Sequence, residues 1–418
     1  MNNLSIYIHI PFCVRKCNYC DFLSAPCEEK TKQEYVEALC REIEQRAEQF
    51  KNRKVDTVFF GGGTPSILSA GQIEKVMLTI KSRFHILDDA EISMEMNPGT
   101  VDTEKLEIYK KLGINRLSIG LQSADNEELK VLGRIHTWED FLKTWKLVRE
   151  MGFSNVNIDL MSALPGQTLE SYEKTLRKVL ALKPEHISAY SLIIEEGTLF
   201  YEWFGENAGK ENQVSKEEKT SFEDKKIPDE ITDRKMYEMT KKLLEEQGYF
   251  RYEISNYALK GYECKHNIGY WKRKEYLGLG LGAASLISNV RFSNIVDMQV
   301  YLKIGSKQYE MDSKVLVNIC KEKKELYVSE MSWIGEQQPL TLAEQIEEFM
   351  FLGLRMMEGV SPEEFEKIFG KTMQEVYGKQ IEELMNKKLL MFDKNTQRYA
   401  LTLQGIDVSN QVFVEFLE

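Results

Sequence analysis

Cys13, Cys17 and Cys20 fall within eight positions, directly after the apolar run Tyr7-Ile-His-Ile-Pro-Phe. Three thiolates spaced this way on one loop can each bind one iron of a cubane [4Fe-4S] cluster and leave the fourth iron open. An open iron is a place for chemistry, whereas a cluster held by four thiolates mainly carries electrons. Two other readings compete: a three-cysteine zinc site, or thiols that merely pack. Structural zinc wants four protein ligands, often as two close pairs. The remaining cysteines, Cys27, Cys40, Cys264 and Cys320, are scattered. Cys40 sits on an apparent amphipathic helix, where packing is its default role.

Four more groups of residues could serve a site near that loop. Gly61-Gly62-Gly63-Thr64-Pro65 would let the backbone approach a ligand closely. Glu95 precedes Asn97-Pro98-Gly99, which forces a turn. Gln122 ends an apolar run and Arg134 follows it. Asp159 lies in Asn157-Ile-Asp-Leu160, an apolar setting in which a buried carboxylate needs a partner. Each taken alone reads equally as a polar contact at a strand end.

The elements that must position these residues alternate. Strand-like runs at Leu4–Ile10, Thr57–Phe60, Glu91–Met96, Arg116–Gly120, Asn155–Leu160 and His186–Ile194 are separated by helix-period segments. Among these are Thr31–Phe50, Ala70–Phe84, Phe141–Met151 and Leu169–Leu182. The pattern predicts βαβ units and a parallel α/β sheet. Six units fit a partial (β/α)6 barrel, with chemistry at the strands' C-terminal ends. A doubly wound sheet would alternate in the same way. The cysteine loop and the glycine loop follow the first two strands, Glu95 and Gln122 lie at strand ends, and Asp159 lies on the fifth strand.

Glu206–Glu230 is polar and interrupts the pattern, and a helix is expected over Thr232–Gln247. From Ile304 to Gln337 the chain is again polar, with Lys321–Lys324 exposed. The expected division is a core at 1–300 and a smaller α+β domain at 301–418. In the latter, Ser361-Pro-Glu-Glu364 reads as a capping box with a Val360/Phe365 staple. A hairpin around Asp393-Lys-Asn-Thr then gives a winged-helix-like outline.

Composition bounds the rest. The 418-residue chain is 42% hydrophobic and carries a net charge of −11. That balance argues against nonspecific nucleic-acid binding. No run of about 18 apolar residues predicts a transmembrane segment. The N-terminus lacks a secretion-signal pattern, and clustered cysteines point to a reducing compartment, so a cytoplasmic protein is expected.

Taken together, these strings resemble the radical SAM family that contains oxygen-independent coproporphyrinogen III dehydrogenase and a heme-chaperone branch. The matches are Tyr7-Ile-His-Ile-Pro-Phe-Cys, Gly61-Gly-Gly-Thr-Pro, Arg116-Leu-Ser-Ile-Gly-Leu-Gln-Ser and Leu164-Pro-Gly-Gln-Thr. Further matches are His186-Ile-Ser-Ala-Tyr, Tyr252-Glu-Ile-Ser-Asn-Tyr and Gly353-Leu-Arg. The resemblance implies a [4Fe-4S] cluster on Cys13, Cys17 and Cys20, with S-adenosylmethionine (SAM) chelating the open iron. It implies SAM-binding positions at Tyr7, Tyr19, Gly62, Gly63, Thr64, Glu95, Gln122, Arg134 and Asp159.

The dehydrogenase branch has a further cysteine two residues after the third ligand, where this chain has Phe22. The chaperone branch matches Cys20-Asp-Phe and carries His-Asn-x-x-Tyr-Trp, present as His266-Asn267-Ile-Gly-Tyr270-Trp271. An imidazole can bind heme iron, and Tyr and Trp can stack on a porphyrin. His266, Tyr270 and Trp271 are therefore the candidate heme residues, with Cys264 a rival ligand. The expectation is a chaperone that carries heme to acceptor proteins and draws on an electron donor. The alternatives are radical decarboxylation of coproporphyrinogen or another modification of heme. One departure stands out: the family commonly reads Gly-Ala-His-Ser where this chain has Gly282-Ala283-Ala284-Ser285.

Overall fold

The computed structural model describes residues 3–205, 225–306 and 332–417. Strands β1 (Leu4–Ile10), β2 (Lys54–Gly62), β3 (His85–Met96), β4 (Arg116–Gln122), β5 (Val156–Ser162) and β6 (His186–Ser191) pair in that order, all parallel. Between them run α1 (Glu29–Ala47), α2 (Ala70–Arg83), α3 (Thr103–Lys111), α4 (Asn126–Val131), α5 (Trp138–Glu150) and α6 (Leu169–Leu180). A doubly wound sheet reverses its strand order at a switch point. This one advances without reversal, as a barrel wall does. Helices α3 and α4 go beyond the sequence expectation: both are short, with few buried positions to set a period.

Strand alternation sorts the side chains. Ile6, Val58, Phe60, Ile92, Met94, Leu117, Ile119 and Ile158 are fully or almost fully buried in the main apolar core, which also contains Val76, Tyr109, Phe141 and Leu176 of the flanking helices. In the other register lie Thr57, Glu91, Glu95, Arg116, Ser118, Asn157, Asp159, His186 and Ser188. A packed barrel fills its interior with branched apolar residues. This interior is polar, and so available for chemistry.

The barrel is partial. β1 also pairs with β9 (Tyr276–Leu279), and β6 with β8 (Asn256–Ala258), which carries β7 (Phe250–Arg251) at its edge. After α7 (Leu199–Phe204) and α8 (Glu230–Glu246), the chain crosses from β8 to β9 through α9 (Lys265–Trp271). Glu91 of β3 accepts from the backbone N–H groups of Lys265 (2.9 Å) and His266 (3.1 Å), placing a carboxylate at the helix's positive end. The string His266–Trp271 thus lies inside the curved sheet, between its two edges.

Strands β10 (Ala284–Ile287), β11 (Val290–Asn294) and β12 (Ile334–Pro339) extend the β9 edge, with α10 (Met298–Ile304) after β11. The polar stretch expected over 304–337 therefore ends in a strand of the large sheet. Cys320, Lys321–Lys324 and most of the 206–230 stretch lie outside the described residues. Helices α11 (Leu342–Gly353), α12 (Pro362–Phe369) and α13 (Met373–Asn386) lead to the hairpin β13 (Leu390–Asp393) and β14 (Arg398–Leu401). Phe365, Ile381, Leu384, Val412 and Phe416 form a second apolar core there. Ser361 caps α12 by accepting from the Glu364 N–H, but the reciprocal half of the expected box is not made, and Glu364 lies 3.7 Å from Arg398 instead.

Candidate cofactor site and an adjoining aromatic cavity

The cysteine loop leaves β1 and returns beside it. Cys13 N–H donates to the Ala25 carbonyl (3.3 Å), and Ala25 N–H to that of Pro11 (3.1 Å). All three thiols line one cavity of about 470 Å³ at the C-terminal ends of the strands. Eight of the nine residues expected to hold SAM line it with them: Tyr19, Gly62, Gly63, Thr64, Glu95, Gln122, Arg134 and Asp159.

Local structure explains how they meet. A Cβ on Gly62, whose φ is +110°, would stand 2.5 Å from the His9 ring; one on Gly63 would stand 2.5 Å from the Phe12 carbonyl oxygen. Only glycines let the end of β2 lie this close to β1. Arg134 donates from Nη2 to Asn97 Oδ1 (2.7 Å) and the Gly120 carbonyl (2.6 Å), and from Nη1 to Cys17 Sγ (3.5 Å). Asn97 in turn donates to Thr64 Oγ1 (2.9 Å). Gln122 has φ of +73°, and the β4–β5 register slips between Gly120 and Gln122. Such an irregularity re-aims a side chain at a strand end, and here Gln122 Oε1 accepts from Tyr190 Oη (3.1 Å).

Charge is concentrated in this lumen. Burial, and then the neighbouring Asp159 carboxylate, push the Glu95 carboxyl up to about 8, against the hydrogen bond it accepts from Gly62 N–H (3.2 Å). Burial also raises Asp159, relieved by donors on Asn157 (2.7 Å) and Ser118 (3.3 Å). The thiols of Cys13 and Cys20 are raised by burial. Thiolates there call for nearby positive charge, which coordinated iron supplies. Among the described residues, no three His, Cys, Asp or Glu side chains are gathered as a single metal ion would require. The donor set fits one thiolate on each of three irons better than three on one zinc.

Tyr7, the ninth, lies outside that lining. Its hydroxyl hydrogen-bonds His9 Nδ1 (3.1 Å), its ring stacks on Phe59, and it lines a second cavity of about 320 Å³. Tyr270, Trp271 and Tyr276 share that cavity, with Ala284, Leu286 and Arg291 completing much of its wall. Ala284, where the resemblance led to the expectation of a histidine, lines this wall.

His266 lies behind this cavity. It is fully enclosed, with Nδ1 hydrogen-bonded to Thr57 Oγ1 (2.8 Å) and Nε2 to Tyr270 Oη (2.9 Å). Neither nitrogen is free for iron, and burial holds the ring neutral, its pKa lowered to about 3. Cys264 is no better placed: it is wholly buried beside Glu91, and burial pushes it up to about 12. Sequence reasoning assigned no role to Asn97, Ser188, Tyr190 or Asn267, which also line the cysteine cavity. A usable signal was the polar alternation of the strands, which marks the inward positions.

An open parallel barrel with a three-cysteine loop at its mouth defines a radical SAM protein, and residues 7–179 match the Radical SAM superfamily model. Membership implies a [4Fe-4S] cluster and SAM. Residues 340–408 match the HemN C-terminal domain. The chain is 35% identical to the heme chaperone HemW of Lactococcus lactis, over 99% of this chain and 97% of that one. It is 34% identical to that of Bacillus subtilis, over 99% of both. The chain belongs to the HemW family. The fold is also that of the coproporphyrinogen III oxidase HemN from Escherichia coli (TM-score 0.77, 22% identity, covering 99% of this chain and 90% of that one).

Proposed function

We propose that this protein is a heme chaperone: it binds heme at the aromatic cavity and passes it to acceptor proteins, with the cluster and SAM in a supporting role. The observation that carries the reading is near-full-length likeness to proteins named heme chaperones. A second, aromatic-walled cavity apart from the cysteines supports it. Aromatic faces stack on a flat macrocycle, and Arg291 offers a cation to a propionate, in competition with Glu348. Iron ligation by His266 would require its hydrogen bond to Tyr270 to open.

In the cysteine cavity, Cys13, Cys17 and Cys20 would hold three irons, and Arg134 would stabilise the Cys17 thiolate by donating to it. Gly62 and Gly63 bring main-chain polar groups close enough to meet SAM's amino group. Glu95 and Asp159 would accept hydrogen bonds from its hydroxyls, while Tyr19, Gln122 and Thr64 orient it. Tyr7 would support the Glu95 side of the site from behind. When bound, the cluster and SAM supply reductive radical chemistry. The cytoplasmic placement is supported by free thiols at all six described cysteines. No helix among the described residues is long and apolar enough to cross a membrane. A division into a core and a smaller C-terminal unit remains part of the proposal, supported by the separate C-terminal apolar core, which begins at Ile346, after β12 of the large sheet.

A second reading, radical decarboxylation of coproporphyrinogen III, is favoured by the completeness of the cysteine cavity, since a simple carrier has no evident need of a radical initiator. The test is an anaerobic heme titration of the cluster-reconstituted protein, with coproporphyrinogen III assayed on the same sample. Saturable heme binding without decarboxylation is expected. Decarboxylated product would make the protein an enzyme despite Phe22.

A further inference from the structure

Helix α9 spans the distance between the two cavities, about 10 Å for seven residues at helical rise. Tyr270 and Trp271 in its last turn line the aromatic cavity, whereas Asn267 near its start lines the cysteine cavity. The polar groups around Asn267 are occupied: the N–H groups of Lys265 and His266 by Glu91, and the His266 ring by Thr57 and Tyr270. The Asn267 carboxamide itself makes no side-chain hydrogen bond among the described residues. Asn256 of β8 lines the same cavity. Its Nδ2 donates to Glu253 Oε1, while its Oδ1 is buried without a partner. A buried polar atom left unpaired calls for an explanation. A polar occupant of the cavity would supply one once the Asn256 carboxamide turned toward it.

We propose that Asn267, together with Asn256, forms a SAM-contacting wall of the cysteine cavity and is not part of the cargo site formed by Tyr270 and Trp271. A carboxamide offers both donors and an acceptor, the pairing that a nucleoside's hydroxyls and ring nitrogens call for. The His-Asn-x-x-Tyr-Trp string is then divided in its duties, with its asparagine serving the cofactor and its aromatic pair the cargo. The inference rests on SAM occupying the cysteine cavity and does not depend on heme.

The test uses the full chain with its cluster reconstituted anaerobically. The dissociation constant for SAM is measured by calorimetry, and heme affinity by absorbance on the same preparations. Asn267→Ala is expected to weaken SAM binding about tenfold, the loss of one well-placed hydrogen bond. Heme affinity, iron and sulfide content and melting temperature should stay at parental values. An unchanged SAM constant overturns the assignment, and so does a fall in heme affinity with SAM binding intact. Should Asn267→Ala fold poorly, Asn267→Ser is read by the same two affinities. A parent protein that binds no heme would defeat the chaperone reading while leaving the SAM measurement decisive for Asn267.

Discussion

Glu95 is held in the lumen as a weak acid, and stability should register it. Its carboxyl is raised from 4.5 to about 8, by burial first and then by Asp159. The unfolded chain ionises it at the lower value, so the folded state is progressively disfavoured as pH rises between the two. The ligand-free protein is expected to lose melting temperature from about pH 5 to about pH 8. Glu95→Gln should remove part of that loss, matching the parent at pH 5 and exceeding it at pH 8; equal slopes for the two proteins would show that Glu95 is ionised throughout. The cysteines make a sharper case. Cys17→Ala is expected to abolish cluster binding, whereas Cys27→Ala, outside the cavity lining, should keep near-parental iron and sulfide. At this scale the cysteines were legible because their spacing along the chain is itself the chemistry. The surroundings of Tyr7 and His266 were not legible, because residue type cannot say which way a ring faces or who holds its nitrogens. Asn97 and Tyr190 acquire a role only when distant strand ends converge.

Among the elements, the ends of β2 and α2 offer a graded set of glycines. Gly62 has a positive φ and a ring in its way, while Gly71, the second residue of α2, has nothing within 4 Å of the place a Cβ would occupy. Gly62→Ala is expected to cost on the order of 2 kcal/mol and to weaken SAM binding. Gly71→Ala should stabilise the fold by about 0.5–1 kcal/mol. Chemical denaturation of both would check the order, and equal effects would mean that the close approach of β2 to β1 is not what Gly62 provides. The strands of the barrel were readable because apolar outward positions alternate with polar inward ones. Their lengths were not: β3 begins at His85, several residues before the apolar run that revealed it. The hairpin β13–β14 was found from its turn residues. The addition of β12 to the large sheet depends on partners 40 or more residues away and leaves no local trace.

Across the whole molecule, α11 is tied to the barrel beside the aromatic cavity. Glu348, 5% exposed, accepts from Arg273 Nε and Arg291 Nη2, each at 2.6 Å. Removing the carboxylate leaves Arg273 enclosed without its counter-ion, while Arg291, 44% exposed, is largely rescued by water. Glu348→Ala is expected to lower stability by about 3 kcal/mol and to speed proteolysis near residue 340; an unchanged digestion pattern would show that other contacts fasten α11. Alternation made a parallel α/β sheet legible and fitted a partial barrel or a doubly wound sheet alike; the choice was not legible, because strand order rests on pairings between distant segments and the edges on β8 and β9 late in the chain. That late pairing has a consequence for synthesis. Apart from Asn256 and Asn267, the walls of the cysteine cavity come from residues up to 195, whereas the aromatic cavity needs residues as late as 352. On the ribosome, where the N-terminal part of a chain emerges first and folds as it does so, the cysteine loop stands beside β2 while the flank of β1 awaiting β9 is still bare. Most of the cysteine cavity can therefore take shape before any cavity for cargo exists.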